Sequence, residues 1–253
     1  MPQIAHYGWI PDLPDQRDYR YAAPIEVVGA LPANVDLTSA CPAVYDQGQL
    51  GSCTANAIAA AIEFEQMKQN LSPVFVPSRL FVYYNERVIE GTVDSDSGAQ
   101  IRDGMKSVGS QGDCPEDMWP YVIANYAEKP TDACYQTALQ HKAILYQRVV
   151  TDLDQMKGCL ASGYPFAFGF TVYQSFESPQ VAQTGHAPLP QPDETVLGGH
   201  AVLAVGYDDA NQWFIVRNSW GAKWGMQGYF TLPYTYLTNS DLASDFWTVR
   251  VVQ

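Results

Sequence analysis

A Gly-rich turn that runs straight into a long helix-forming stretch constrains this 253-residue chain more than any other feature. Gln47-Gly48-Gln49-Leu50-Gly51-Ser52-Cys53 is followed by Thr54-Ala55-Asn56-Ala57-Ile58-Ala59-Ala60-Ala61-Ile62. The pattern predicts a helix over about 52–68 with Cys53 in its first turn. Two glycines let the backbone turn tightly and let another chain come close. A thiol at that end sits in the positive field of the helix dipole. That field favours the thiolate, which is the nucleophilic form of cysteine.

Two further blocks lie far downstream. Gly198-Gly199-His200-Ala201-Val202 places a histidine in an apolar, strand-like run, and Arg217-Asn218-Ser219-Trp220-Gly221 follows it. Cysteine, histidine and asparagine, with a glutamine just upstream, supply the groups that cysteine-dependent acyl transfer needs. Each has a plainer reading. Cys53 alone reads as a buried helix cysteine, His200 as a core histidine, Asn218 as a turn residue and Trp220 as core packing. Gln47 alone reads as an exposed loop amide. Of the other histidines, His6 and His186 lie in irregular, Pro-flanked stretches and His141 between the two halves. Asp208-Asp209 reads as a hairpin turn.

The chain changes character along its length. Pro73 and Pro77 punctuate a turn, Ser78 caps a predicted helix through 87, and a third helix spans about 100–108, ended by Gly109. A short helix over 154–162 stops at Gly163. Beyond it, 165–172, 200–207, 213–217, 229–232 and 246–251 read as strands. Residues 176–197 read as a surface connection. Helices first and strands afterwards predict an α+β chain with two lobes. Residues 1–30 form an irregular extension with Tyr7, Trp9, Tyr19 and Tyr21 among prolines and aspartates. The expected units are this extension, a helical lobe over 31–145 carrying Cys53, and a β-rich lobe over 146–253 carrying His200 and Asn218.

Composition narrows the classes of partner. With 27 acidic against 14 basic residues, a net charge of −13 argues against nucleic acid. No apolar run approaches the ~20 residues of a membrane helix, so no membrane partner is expected. No Cys-x-x-Cys, His-x-x-x-His or Gly-Lys-Ser pattern occurs, so neither metal nor cofactor is expected. Residues 1–30 hold no apolar h-region, so no signal peptide is read in this numbering. The five cysteines are Cys41, Cys53, Cys114, Cys134 and Cys159. With Cys53 a free nucleophile, four remain, enough for two bridges in three possible pairings. That count fits a secreted or otherwise extracytoplasmic protein. The alternative is a set of buried, reduced thiols.

Four blocks in order resemble the papain-like (C1) cysteine peptidases: Asp46-Gln47-Gly48 with Gly51-Ser52-Cys53, Glu116 to Tyr121, Gly199 to Asp208, and Asn218-Ser219-Trp220-Gly221 through Tyr229. The shorter bacterial members are the nearer match. Cys53 and His200 stand 147 positions apart, within the roughly 130 to 150 seen in papain and the cathepsins. Two departures stand out: Leu50 replaces the usual cysteine, removing its disulfide, and Thr54 replaces an aromatic. The resemblance implies a helical lobe, a barrel-like lobe and an active site in the cleft between them. It implies peptide or protein substrates, with Cys53, His200, Asn218 and Gln47 catalytic and Gly51, Ser52, Gly98, Gly199 and Trp220 against the substrate. An acyl transferase using the same groups and a catalytically silent binding module are the alternatives. Residues 1–30 then act as a short pro-segment covering the cleft, or as a brace on the far side of a lobe.

Overall fold

The computed structural model describes residues 7–253; the part of the expected extension at 1–6, including His6, lies outside the described residues. The strands are β1 (Arg20–Tyr21), β2 (Asn34–Asp36), β3 (Ala143–Val149), β4 (Phe166–Tyr173), β5 (Val196–Asp208), β6 (Trp213–Arg217), β7 (Tyr229–Pro233) and β8 (Ala243–Val252). The helices are α1 (Ile25–Val28), α2 (Cys53–Lys68), α3 (Arg79–Glu90), α4 (Ile101–Ser110), α5 (Asp132–Ala138), α6 (Leu153–Ala161), α7 (Pro179–Thr184) and α8 (Tyr234–Thr238). The strand order is β1-β3-β8-β4-β5-β6-β7, with β2 also paired to β5. β1 runs parallel to β3 and the other pairs are antiparallel. The architecture is the expected α+β.

β5 organises both cores. Its residues alternate between the two faces of the sheet, as strand geometry requires. Val202 and Ala204 face an aromatic core with Phe166, Phe168, Phe170, Phe214, Phe230 and Phe246. Ala201, Leu203 and Val205 face a second core, built with α2, α3 and α4. A strand buried on both sides reads as a continuous apolar run, which is why the 200–207 segment carries no polar alternation.

Helix α2 is buried from Cys53 to Gln66. It has no solvent face and packs against β5 and β8 on one side and α3 and α4 on the other. Its run of alanines suits that position, because small side chains let neighbouring backbones approach closely. Ser78 caps α3 through the Phe81 amide, and Gly91 ends it in the left-handed conformation. Asp152 caps α6 through Gln155.

Several expectations are corrected. Gly109 does not end the third helix; α4 continues to Ser110. A Cβ on Gly109 would stand 2.6 Å from the Tyr146 ring, so this glycine serves close packing of α4 on β3. The extension is not wholly irregular: it contributes β1 and α1. The 176–197 connection contains α7 and the start of β5. Helix α5 and strand β3 were not anticipated, and the lobe boundary expected at 145/146 falls inside β3. Among the described residues no helix is long and apolar enough to cross a membrane.

Gly112 carries a tighter constraint. Its φ is +80°, and a Cβ there would lie 1.8 Å from the Ala138 carbonyl oxygen and 2.5 Å from that of His141. Gly112→Ala therefore combines left-handed strain with a backbone clash, and the expected loss is about 2–4 kcal/mol. Thermal unfolding of the full chain should show a midpoint lower by roughly 5–10 °C; an unchanged midpoint would contradict this account of the turn.

Candidate active site

Cys53 is the first residue of α2, after Ser52, and is fully buried. Its sulfur lies within reach of the backbone N–H groups of Ala201, Gly8 and Thr54. The Ala201 contact sets the thiol beside the residue that follows His200 on β5, so helix start and strand meet at the sequence-predicted pair.

His200 is fully buried and its tautomer follows from its neighbours. Nε2 lies 2.8 Å from Asn218 Oδ1. The same Oδ1 accepts the Ser219 backbone N–H at 2.8 Å, which identifies it as the amide oxygen. An oxygen accepts, so Nε2 carries the proton. Nδ1 is left as a buried nitrogen without a hydrogen-bond partner. Trp220 stacks on the imidazole at 5.0 Å with a 28° interplanar angle, and Phe170 meets it edge-on. These rings exclude water from the His200–Asn218 bond.

Gln47 is buried between the same elements. Its Oε1 accepts from Ser219 Oγ at 2.6 Å, and its Nε2 donates to the Leu50 carbonyl at 2.9 Å. An amide nitrogen has two N–H bonds, so one remains beyond the Leu50 contact. Tyr121 braces the turn from outside, donating to the Gln47 carbonyl at 2.9 Å and sharing a 2.6 Å hydrogen bond with Ser52. Arg79 extends the brace to Glu116, the Asp46 carbonyl and Asn56 Oδ1. Leu50, in the place of the family's cysteine, is buried. Thr54, in the place of the aromatic, donates to the fully buried Glu86 at 2.8 Å.

Gly51, Gly98 and Gly199 line a furrow over the thiol, and the chain's own residues 7–10 run along it. The Trp9 N–H donates to the Gly199 carbonyl at 2.9 Å. The Gly8 carbonyl accepts from Ala99 N–H at 2.8 Å, and the Ile10 N–H donates to Ala99 at 3.0 Å. A Cβ on Gly98 would come within 2.1 Å of the Gly8 oxygen, and one on Gly8 within 1.7 Å of the Gly51 oxygen. Only glycines permit this approach. The Trp9 ring lies over Gly169 and Gly199 and donates from Nε1 to Asp245 at 3.2 Å. Tyr7 meets His200 edge-on and bonds to Glu177. Farther along, Arg148 bridges Asp12, Asp18 and Asp245, while Arg102 pairs with Asp18 at 2.6 Å.

This cover reverses the expected electrostatics. The helix dipole favours a thiolate, but burial pushes the Cys53 thiol up to about 12, against the pull of the three nearby N–H groups. Burial likewise pushes His200 down to about 4, opposed by its Asn218 bond. Desolvation disfavours both charged forms. Under residues 7–10 the pair is a neutral thiol and a neutral imidazole.

The structure thus brings Cys53, His200, Asn218, Gln47, Gly51, Ser52, Gly199, Trp220 and Gly98 to one place. Sequence reasoning missed Ser219, which ties Gln47 to Asn218, and Tyr121 as the brace. Both lie inside the motif blocks, so the signal was present but their contacts were not. It also missed Asp96, whose carboxylate accepts the Gly51 N–H at 3.0 Å and carries no motif.

The model for the papain family cysteine proteases matches residues 31–246. The structure superposes on xylellain, a cysteine protease from Xylella fastidiosa, with a TM-score of 0.93 and 49% identity, covering 98% of this chain and 96% of that one. An uncharacterized peptidase C1-like protein of Acanthamoeba polyphaga mimivirus is 46% identical over 215 residues, 82% of this chain and 69% of the relative. A cathepsin B-like protein of Giardia intestinalis is 29% identical over 76% of this chain and 64% of its own length. The chain thus spans about two thirds of these curated relatives. Procathepsin L 3 of Tenebrio molitor, at 20% identity and a TM-score of 0.71 over 96% of this chain and 75% of that one, shares the fold. The chain belongs to the papain family of cysteine proteases and is a cysteine peptidase.

Proposed function

We propose that Cys53, His200, Asn218 and Gln47 hydrolyse peptide bonds in peptide or protein substrates, and that residues 1–30 are a pro-segment holding the site silent. The observation that carries the catalytic reading is that His200 keeps Nδ1 free while Nε2 is held by Asn218, with the Cys53 thiol against the next residue of the strand, Ala201. Nδ1 takes the Cys53 proton, and the thiolate attacks the substrate carbonyl carbon. The oxyanion that forms receives the second N–H of Gln47 and the Cys53 backbone N–H. The imidazolium then protonates the departing amine. Water, giving its proton to Nδ1, attacks the thioester; the acid leaves and the thiol is restored. Asn218 keeps the proton on Nε2 throughout, and Trp220 shields that bond. The groups of Gly51, Ser52, Gly98 and Gly199 border an extended chain lying in the furrow.

The backbone pairing of residues 8–10 with Ala99 and Gly199 supports the furrow as a site for extended peptide, and supports cleft covering over a far-side brace. The net charge and the apolar pattern fit a peptide partner rather than nucleic acid or membrane. The cysteine count fits an extracytoplasmic location. No observation favours acyl transfer to an added acceptor or a silent binding role.

Gln47→Ala is expected to lower kcat by about 10²–10³ with folding intact, the usual loss for one oxyanion donor. Near-full kcat on a good substrate would remove Gln47 from the mechanism. Cys53→Ala should abolish turnover.

His200→Ala should be more severe than Asn218→Ala, because the first removes the proton carrier and the second only its orientation. Equal losses, or a milder one at His200, would contradict these roles.

Burial gives the neutral thiol a stabilising role in the covered form that is fully present below pH 9 and lost as pH rises toward about 12. Alkylation of Cys53 by iodoacetamide in the intact chain should therefore stay slow at pH 7 and climb toward alkaline pH. Trp9→Ala removes the main anchor of the cover. It should raise both the pH 7 alkylation rate and kcat/KM at least roughly tenfold, given the ~3 kcal/mol or more that truncating a buried Trp typically costs. If Cys53 in the intact chain is already fast at pH 7, or Trp9→Ala changes neither rate, the pro-segment reading is wrong.

A further inference from the structure

The four cysteines outside the active site are not equivalent. Cys41 packs with the α2 core, its thiol donating to the Leu37 carbonyl at 3.4 Å. Cys159 lies across the sheet in the aromatic core, donating to Tyr164 at 3.5 Å. Cys114 and Cys134 share a third, small cluster with Phe81 and Ala138, both essentially inaccessible to solvent. Both are free thiols packed together in this cluster, that of Cys134 also 3.2 Å from Thr131 Oγ1. Of the three pairings open to four cysteines, this is the one whose members pack in a single cluster, while Cys41 and Cys159 lie with different cores.

We propose that Cys114 and Cys134 form a disulfide, and that it is the single structural bridge of this chain. The bond would close the segment between them, which holds a single 3-10 turn (Ile123–Asn125) before α5 begins at Asp132. That segment is the one that braces the nucleophile turn. It carries Glu116, the partner of Arg79, and Tyr121, which holds the Gln47 carbonyl and Ser52. At its far end Thr131 caps α5 through the Cys134 N–H. The bridge therefore anchors both ends of a loop whose middle touches the oxyanion side of the active site. A cross-link of this span stabilises chiefly by restricting the unfolded chain.

The oxidant is a low-molecular-weight or protein disulfide met during folding, before the cluster closes. One cysteine thiolate attacks that disulfide, forming a mixed disulfide and releasing one thiol. The second cysteine thiolate attacks the sulfur of the first, forming the Cys114–Cys134 bond and releasing the second thiol. Two cysteine thiols lose two electrons and two protons, and the oxidant becomes two thiols. After closure both sulfurs are buried, so the bond coexists with a reducing medium that keeps Cys53 active.

The test refolds the full chain in a mixture of reduced and oxidised glutathione, then alkylates it in denaturant without reductant. Digestion and mass spectrometry should yield one linked peptide pair, joining Cys114 to Cys134, with Cys41 and Cys159 alkylated. The oxidised chain should melt roughly 5–10 °C above the chain refolded in excess reductant. That difference should vanish in C114A/C134A. In the oxidised state C114A and C134A should each lose as much as the double variant, because either one removes the bond. Alkylation of Cys114 and Cys134, a different linked pair, or single-variant losses that simply add would overturn the proposal. Should the alanine variants not fold, the peptide map of the unaltered chain decides alone.

Discussion

Helix α2 has no solvent face between Cys53 and Gln66, and most of the molecule follows from that. It is enclosed on every side, and its buried polar side chains, among them Thr54, Asn56, Glu63 and Gln66, are hydrogen-bonded. Here the sheet covers one flank and α3 and α4 the other. The only direction in which α2 can present chemistry is along its axis, at its ends. Its start abuts β5, and the residues of that strand alternate between two cores, so their directions are set by the pleat. The meeting of a helix end with a pleated strand brings Cys53 to His200 across 147 positions of sequence. The supporting contacts are polar and just as directional: Asn218 fixes the imidazole, Ser219 fixes both Asn218 and Gln47, and Tyr121 with Arg79 holds the turn from behind.

Burial governs the electrostatics of this site. A helix N-terminus contributes partial charge, and its effect on an exposed group is modest. Removing both members of an incipient ion pair from water is the larger effect. With residues 7–10 laid over the furrow, thiol and imidazole are both neutral, and the groups that would react are present but uncharged. The cover is held by glycine-lined close approach near the sulfur, by the Trp9 ring, and by the Arg148 and Arg102 carboxylate network farther along. Access of water to the furrow then decides whether the helix dipole or desolvation sets the state of Cys53.

Much of this was legible in the chain. The α2 alanine run, the Ser78 cap, the left-handed Gly91 and the apolar run of β5 each have a local cause, and their elements lie within a few residues of the expected places. The site residues were legible because turn chemistry and residue type coincide at each: a cysteine after two glycines, a histidine inside an apolar strand, an asparagine before Ser-Trp-Gly. Gly109 shows where such reading fails. Local rules make a late helix glycine a stop signal, yet its lack of a side chain is used here to admit Tyr146. Strand β3 escaped notice because its pattern is half exposed and its partner, β8, lies about a hundred residues away.

The sequence by itself determined the fold class, the family and the candidates for the reacting groups, because these depend on residue type, order and short-range backbone preference. The tertiary structure alone decided the tautomer of His200, the neutral state of the pair, the route of residues 7–10 over the thiol, and which two of the remaining cysteines are neighbours. Each depends on distances between segments remote in sequence and on how much water those segments exclude. Neither quantity is written in any local stretch of the chain.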